Sequence, residues 1–104
     1  MALPPLTPEQ RAAALEKAAE ARRVRAEVKN RLKRSGASIA EVITSGQTDD
    51  IIGKMKVSAL LESMPGVGKV RAAEIMERLN IASNRRVRGV GTHQAAALAK
   101  EFSA

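Results

Sequence analysis

Met64-Pro-Gly-Val-Gly-Lys-Val-Arg71 is the stretch of sequence on which the interpretation of the whole chain depends. Pro65 fixes φ at the start of a turn, while Gly66 and Gly68 permit positive φ and leave no Cβ in the way of a ligand. The amides around Gly68 are expected at the start of the next helix. There, unpaired N–H groups and the positive end of the helix dipole favour an anion. The stretch predicts a tight turn with an anion site, although a turn chosen only for its backbone geometry remains the alternative.

Helical sequence flanks this turn on both sides. The preceding run is Val57-Ser-Ala-Leu-Leu-Glu-Ser63, and the following run is Ala72-Ala-Glu-Ile-Met-Glu-Arg-Leu79. A helix is predicted from about Lys69 to Asn80, with Val70, Ala73, Ile75, Met76 and Leu79 as its apolar face. No segment alternates with period two for long enough to predict a strand. The fold class is therefore predicted to be all-α.

The N-terminal third predicts one long helix over residues 8–34. Thr7 suits the N-cap, Pro8 the first helical position and Gln10 the third position of a capping box. The span contains nine basic and four acidic residues, and its larger apolar residues appear late, at Val24, Val28 and Leu32. The C-terminal half is therefore expected to pack on the domain, while the N-terminal half projects into solvent.

The domain organisation predicted from these features is an extended lead (1–7), a long basic helix (8–34) and a compact helical domain (35–104). Within that domain, Ser38 and Thr92 are predicted N-caps, and Ser83 is predicted to cap a one-turn helix. Asp49 and Asp50 are expected at the N-terminus of a further single turn.

Composition restricts the partners. The net charge of +7 and the pI of about 10.6 favour nucleic acid, with an anionic membrane surface as the competitor. The absence of cysteine excludes disulfides and thiolate metal sites. No apolar run approaches the roughly 20 residues that a membrane span needs, and the N-terminus does not resemble a signal peptide. A cytoplasmic protein without a membrane association is expected.

A second basic cluster follows the predicted helix, in Arg85-Arg-Val-Arg-Gly-Val-Gly91. Its guanidinium groups are suited to contacting phosphates or entering a minor groove, and its glycine turn is expected to offer further amides. The alternative is a solvated loop. The nucleic-acid interface predicted from both turns comprises Pro65, Gly66, Val67, Gly68, Lys69, Arg71, Arg85, Arg86, Arg88, Gly89 and Gly91.

The long helix offers a candidate second face, because Arg22, Arg25 and Lys29 share one side by helical spacing. The alternative is a solvated helix with surface ion pairs, such as Glu27 with Arg31. Arg71 could likewise pair with Glu74. The candidate second DNA face comprises Arg22, Arg25, Lys29, Lys33 and Arg34.

Catalysis is poorly supported by the residues available. His93 is the only histidine, and no aspartate follows Asp50, so glycosylase chemistry lacks its carboxylate. The only aromatic residue is Phe102, which leaves no platform for stacking extruded or single-stranded bases. A non-enzymatic protein without cofactor or metal, binding the backbone of double-stranded DNA with weak sequence preference, is predicted.

The chain resembles the actinobacterial type of integration host factor. The resemblance lies in Gly53-Lys-Met-Lys-Val-Ser-Ala-Leu-Leu-Glu-Ser-Met-Pro-Gly-Val-Gly-Lys-Val-Arg-Ala72, in the arginine-rich segment ending at Gly91, and in the Met-Ala-Leu-Pro opening with its basic helix. The two glycine turns are also similar to the helix-two-turns-helix motif of a small-subunit ribosomal protein, which keeps a structured-RNA-binding module as the alternative function.

This resemblance implies a nucleoid-associated protein that acts on DNA topology and compaction, transcription and phage integration. It also implies a monomer that contacts DNA through two faces, the first being the two-turn motif. A further alternative is a partner-recruiting protein whose long helix binds another protein, such as a phage integrase.

Overall fold

The computed structural model describes residues 4–102, apart from the side chain of Ala37. Within these residues the chain forms six α-helices, two 3-10 turns and no β-strand, which confirms the all-α prediction. The elements in chain order are α1 (Pro8–Arg34), a 3-10 turn (Gly36–Ser38), α2 (Ile39–Gly46), α3 (Asp50–Gly53), α4 (Val57–Glu62), α5 (Lys69–Arg78), a second 3-10 turn (Val87–Gly89) and α6 (Thr92–Glu101).

Helix α1 begins and ends where the capping signals predicted. The Gln10 amide donates to Thr7 Oγ1 at 3.1 Å, and the Thr7 amide donates to Gln10 Oε1 at 3.0 Å. Residues 8–20 are exposed, whereas Val28 and Leu32 are buried. The projecting first half and the packed second half of α1 are therefore confirmed. Of the predicted lead, residues 4–7 adopt neither helix nor strand, and residues 1–3 lie outside the described part of the chain.

The core is small and aliphatic. Its fully buried side chains come from every part of the compact region, and Phe102 packs only partly against it. The largest of these side chains are Leu32, Ile39, Leu60, Leu61, Ile75 and Leu98. Helix α1 contributes through its contacts with α3 and α4, so the long helix is fixed to the same core as the two glycine turns.

The apolar face of α5 differs from the prediction. Ala72, Ile75 and Met76 are buried, but Val70 is 74% exposed. Val70 lies in the first helical turn, directly between Lys69 and Arg71. Ala73 is exposed as well, so the buried face of α5 is rotated about the helix axis relative to the predicted one.

Two predicted caps are wrong, and a third is confirmed in position only. Ser38 is the N-cap of α2, but it has helical angles and its side chain makes no capping hydrogen bond, because the preceding 3-10 turn runs straight into the helix. Gly91, not Thr92, is the N-cap of α6. The turn around Ser83 is not helical, and the 3-10 turn in that region begins at Val87 instead. The aspartate cap is confirmed, since Asp49 Oδ1 accepts from the Ile51 and Ile52 amides.

A close approach between helices sets the position of the arginine-rich segment. A Cβ at Gly46 would lie 2.3 Å from Val87 Cγ1, and a Cβ at Gly53 would lie 2.6 Å from the Gly46 carbonyl oxygen. Val87 is fully buried in this contact. Because both glycines lack a side chain, α2, α3 and the second 3-10 turn pack closely together.

Within residues 4–102, no helix combines the length and the apolar character needed to cross a membrane.

Candidate nucleic-acid interface

The first glycine turn has an open backbone. Gly66 has φ of 76°, a left-handed conformation that favours glycine. Gly68 has φ of −94° and ψ of −174°, so it is extended, and its predicted use of positive φ is wrong. Apart from the chain neighbours of each glycine, no atom of residues 4–102 lies within 4 Å of a Cβ built at either position. A ligand can therefore approach the backbone of the turn directly.

The first turn of α5 adds unpaired donors to this opening. Gly68 is the N-cap, and the Ala72 amide donates to its carbonyl at 2.9 Å. The amides of residues 69–71 precede that bond, so they have no acceptor within the helix. No side chain caps this end. Because Lys69 and Arg71 are both exposed here, their charges add to the positive end of the helix dipole.

Val67 does not belong to the exposed part of the turn. Its side chain is only 8% exposed and joins the core, and its amide donates to the Met64 carbonyl at 3.2 Å. Both the side chain and the amide of Val67 are thus engaged within the protein, and its contact with a ligand stays a prediction. Val67 instead holds the turn against the core, between two glycines that stay exposed.

The second glycine turn has the same Gly-Val-Gly sequence but a closed backbone. The Gly89 amide donates to the Arg86 carbonyl at 2.9 Å, and the Val90 amide donates to Val87 at 3.1 Å. The Gly91 amide donates to Gln94 Oε1 at 3.1 Å. The prediction that this turn offers its amides to an anion is therefore wrong for all three residues.

The three arginines of this segment each hold a partner within the protein. Arg85 Nη1 donates to the Gly89 carbonyl at 2.8 Å, and Arg86 Nη1 donates to the Lys54 carbonyl. Arg88 Nη2 forms a salt bridge with Asp50 Oδ1 at 2.5 Å. These contacts show that the segment is held by the rest of the protein, while the alternative of a solvated loop stays open. They orient the guanidinium groups, while Arg86 and Arg88 remain exposed.

The salt bridge with Arg88 lowers the pKa of the Asp50 carboxyl group. The hydrogen bond from Arg88 and its charge lower the pKa of Asp50, and the charge of Lys54 lowers that pKa further. Asp50 therefore stays ionised and neutralises part of the positive charge at this end of the protein.

A short antiparallel bridge joins the arginines to the segment before α4. Lys56 pairs with Arg86, the Val57 amide donates to the Arg85 carbonyl at 3.0 Å, and the Val87 amide donates to the Met55 carbonyl at 2.9 Å. Helix α4 begins at this bridge and leads to the first glycine turn. The two turns are thus linked through α4, which is about 9 Å long, and within residues 4–102 no hydrogen bond joins them directly.

The candidate face on α1 is divided by the structure. Arg25 and Lys29 line a cavity of about 300 Å³ together with Lys54, Lys56 and Arg86, whereas Arg22, Lys33 and Arg34 are exposed outside that cavity. The predicted ion pairs of α1 do not form, since neither salt bridge found within residues 4–102 includes a residue of α1. Arg71 likewise does not pair with Glu74.

Sequence reasoning missed three residues near these sites. Lys54 and Lys56 are exposed on either side of the buried Met55. This alternation of exposed and buried residues is typical of extended chain, but it is too short to predict a strand from the sequence. Asp50 was read only as a helix N-terminal residue, and its partner Arg88 is too distant in sequence for local spacing to show the pair. Among the described residues, no group of three or more metal-binding side chains occurs.

Comparison with known proteins identifies the family. The model of the S13-like H2TH domain matches residues 32–102. A curated integration host factor from Streptomyces coelicolor is 76% identical over 98% of this chain and 95% of its own length. Those from Mycolicibacterium smegmatis and Mycobacterium tuberculosis are 63% and 61% identical, each over 98% of this chain and 97% of its own length.

A solved structure agrees with this assignment. It is described as sIHF bound to an 8-bp palindromic DNA, is 72% identical in sequence, and superposes with a TM-score of 0.79 over 85% of this chain and 99% of its own. With a matching domain model, near-complete coverage and high identity, the chain belongs to the actinobacterial integration host factor family.

Proposed function

We propose that this protein is a nucleoid-associated protein that binds the backbone of double-stranded DNA with little sequence preference. The observation that carries the proposal is the open first turn, where the Gly66 and Gly68 backbone and the first-turn amides of α5 are accessible beside Lys69 and Arg71. Backbone amides at a helix N-terminus suit a phosphate and carry no information about base sequence. The DNA-bound relative supports the same interpretation.

The second turn contributes side chains to the proposed interface. Arg86 and Arg88 are exposed and oriented by their hydrogen bonds, so they lose less conformational freedom when they bind a phosphate. Arg85 is half-buried and braces the turn through the Gly89 carbonyl. Pro65 is exposed beside the first turn and completes its outer surface. Gly89 and Gly91 serve as structural elements of this surface.

A second DNA contact is proposed on α1. Arg22, Lys33 and Arg34 are exposed and form no salt bridge within the described residues, so their charges are available to a second strand or a second duplex. Two contact surfaces on one monomer bend or bridge DNA without an intercalating side chain. This activity would alter DNA topology and compaction, and through them transcription and phage integration. The role is architectural, without a catalytic step or a cofactor, and places the protein in the cytoplasm on the nucleoid.

The salt dependence of binding to a random duplex tests the main proposal. With about 6–8 phosphates neutralised, the slope of log K against log salt concentration is expected near −5 to −7. The affinity should differ little between duplexes of unrelated sequence. A flat salt dependence, or no duplex binding at moderate salt, would refute the proposal.

The S13-like domain keeps structured RNA as the second candidate ligand. Competition between duplex DNA and a structured RNA in one gel-shift series separates the two functions. A strong preference for RNA would replace the DNA proposal.

Recruitment of another protein, such as a phage integrase, is a separate proposal for the projecting part of α1. Leu15 is 64% exposed in this part, which gives a partner an apolar contact. Deleting residues 1–20 should leave DNA affinity intact but abolish integration complexes. Unchanged integration by the truncated protein would refute the proposed recruitment.

A further inference from the structure

A concave site separate from the first glycine turn lies where α1 passes the segment before α4. The cavity measures about 300 Å³, at the lower end of the range for small-molecule sites in proteins. Five cationic side chains line it and no carboxylate does. They are Arg25, Lys29, Lys54, Lys56 and Arg86.

We propose that this cavity binds two adjoining phosphate groups on one small molecule, as in inorganic pyrophosphate or a nucleoside diphosphate. Five like charges around one concavity repel one another while it is unoccupied, so a compact polyanion relieves that repulsion as it binds. Grouping the five charges around one concavity raises the local positive potential above that of a flat surface on which they lie apart.

The cations are held on two fixed supports. Arg86 donates to the Lys54 carbonyl, and Lys56 faces Arg86 across the antiparallel bridge. The other two cations stand on α1, which is anchored nearby by the buried residues Val28 and Leu32. The backbone that carries each cation is therefore fixed, and anion binding has to order the side chains of Arg25 and the three lysines.

The remaining lining of the cavity is apolar and suits a nucleoside better than bare phosphate. Ile51, Met55 and Ala59 form this lining. A neighbouring cavity of about 280 Å³ shares Arg25, Ile51 and Lys54 but also includes Glu20 and Asp50. These carboxylates repel phosphate and accept hydrogen bonds from a base or a ribose hydroxyl. The phosphates therefore lie toward Lys29 and Lys56, with the nucleoside toward α3.

Occupancy of this cavity would also affect DNA binding. Arg86 belongs both to the cavity and to the proposed DNA interface, so an anion bound to Arg86 competes for the same guanidinium group. Because coupling between two ligands is reciprocal, DNA should weaken diphosphate binding by the same factor. Only this coupling rests on the proposed function, since the cavity itself requires no DNA.

Isothermal titration without DNA tests the site, using pyrophosphate, ADP, AMP and adenosine as probes. Saturable binding is expected for ADP and pyrophosphate, with ADP the tighter, AMP at least about tenfold weaker than ADP, and adenosine not bound. No saturable binding of either diphosphate up to about 5 mM would overturn the proposal, as would equal affinity for ADP and AMP.

Matched charge reversals locate the binding. Arg25→Glu and Lys54→Glu should each weaken ADP binding by more than about tenfold. Arg11→Glu makes the same charge change on the exposed start of α1 and should alter it less than about twofold. Equal losses from all three would show general electrostatic attraction and overturn the cavity assignment. Lys54→Gln provides a milder variant, and circular dichroism checks that each protein is folded.

The last part of the experiment adds a short DNA duplex to the ADP titration. If ADP binds and duplex weakens it through Arg86, the coupling is supported. If Arg25→Glu abolishes duplex binding while neither diphosphate binds the unaltered protein, the cavity belongs to the DNA contact and the proposal is overturned. Failure of the unaltered protein to bind duplex would instead refute the proposed function, because the ADP titration contains no DNA.

Discussion

The two Gly-Val-Gly turns share a sequence, a buried valine and a glycine N-cap, yet only the first has an open backbone. At the first turn, space surrounds Gly66 and Gly68. At the second turn, Gln94 accepts a hydrogen bond from the Gly91 amide, and the Gly89 amide is bonded within its own 3-10 turn. The same three residues thus leave an open backbone in one place and support arginines in the other.

The residues after each turn explain the difference. Lys69 and Arg71 follow the first turn and have no means of accepting from a backbone amide. At the equivalent distance after the second turn, Gln94 reaches back to Gly91 while its Nε2 donates to the Asn80 carbonyl at 2.8 Å. Gln94 therefore ties the start of α6 to the end of α5 and occupies the Gly91 amide. The amides of residues 92–94 precede the first intrahelical bond of α6, as those of residues 69–71 do in α5.

The largest expected effect on DNA affinity comes from introducing a carboxylate at the N-cap of α5, compared with the same change at the N-cap of α6. In Gly68→Asp, the new side chain occupies open space, suits the extended backbone and caps α5, so the protein should fold at least as well. The carboxylate takes the amides that the proposed phosphate needs. Loss of charge-assisted hydrogen bonds worth about 1.5–3 kcal/mol should weaken DNA binding by roughly 10- to 100-fold on every sequence.

Gly91→Asp is the matched control for this prediction, since it adds the same charge at the N-cap of α6. Its effect on affinity, measured by fluorescence anisotropy at fixed salt, should stay below about threefold. Equal losses from both variants would mean that the two turns contact DNA alike, contrary to the comparison.

The second prediction concerns backbone conformation and uses thermal unfolding. Gly66→Ala meets no neighbour, but its φ of 76° is unfavourable for alanine by about 1–2 kcal/mol, so Tm should fall by roughly 5–10 °C. Gly89 does not have positive φ, and its added Cβ meets only the flexible Arg85 side chain, at 3.0 Å. Gly89→Ala should lower Tm by less than about 3 °C. A reversed order would contradict the assignment of strain to the first turn alone.

Local signals explain why much of the fold could be predicted. The start of α1 follows from Thr7, Pro8 and Gln10, which act within a single helical turn. The place of Gly68 at the start of α5 follows from the adjacent residues in the same way. Burial of α5 was predicted less well, because Val70 has the right residue type but lies on the side of the helix opposite the buried Ala72.

The candidate sites depend on partners that sequence spacing does not reveal. Arg88 meets Asp50 across 38 residues, and Arg86 meets Lys54 across 32. The cavity combines two residues of α1 with a bridge between the segments around Lys56 and Arg86. These pairings follow from the close packing at Gly46 and Gly53, where the absence of a side chain is the deciding feature.

A smaller effect is expected when the closed turn is opened. Gln94→Ala removes the bonds to Gly91 and Asn80, which should cost about 0.5–1.5 kcal/mol in the free energy of unfolding measured with urea. DNA affinity should be unchanged or rise by up to about twofold, because the Gly91 amide becomes available. Gln10→Ala, which removes a similar exposed bond at the start of α1, should leave affinity unaltered. A clear loss of affinity in Gln94→Ala alone would make Gln94 part of the DNA contact.

The smallest expected effect tests whether the arginines of the second turn are partly neutralised. The contact with Arg88 lowers the pKa of Asp50, so the pair contributes stability above the ordinary aspartate pKa and loses it as pH falls through the lower folded value. Since the carboxylate stays charged at neutral pH, a substitution rather than a pH change is needed to free Arg88. Asp50→Asn should tighten DNA binding by about two- to threefold and steepen the salt slope by up to about 0.9. Glu9→Gln removes one negative charge from the start of α1 and should change neither quantity; an equal gain there would assign the effect to net charge instead of to the freed guanidinium.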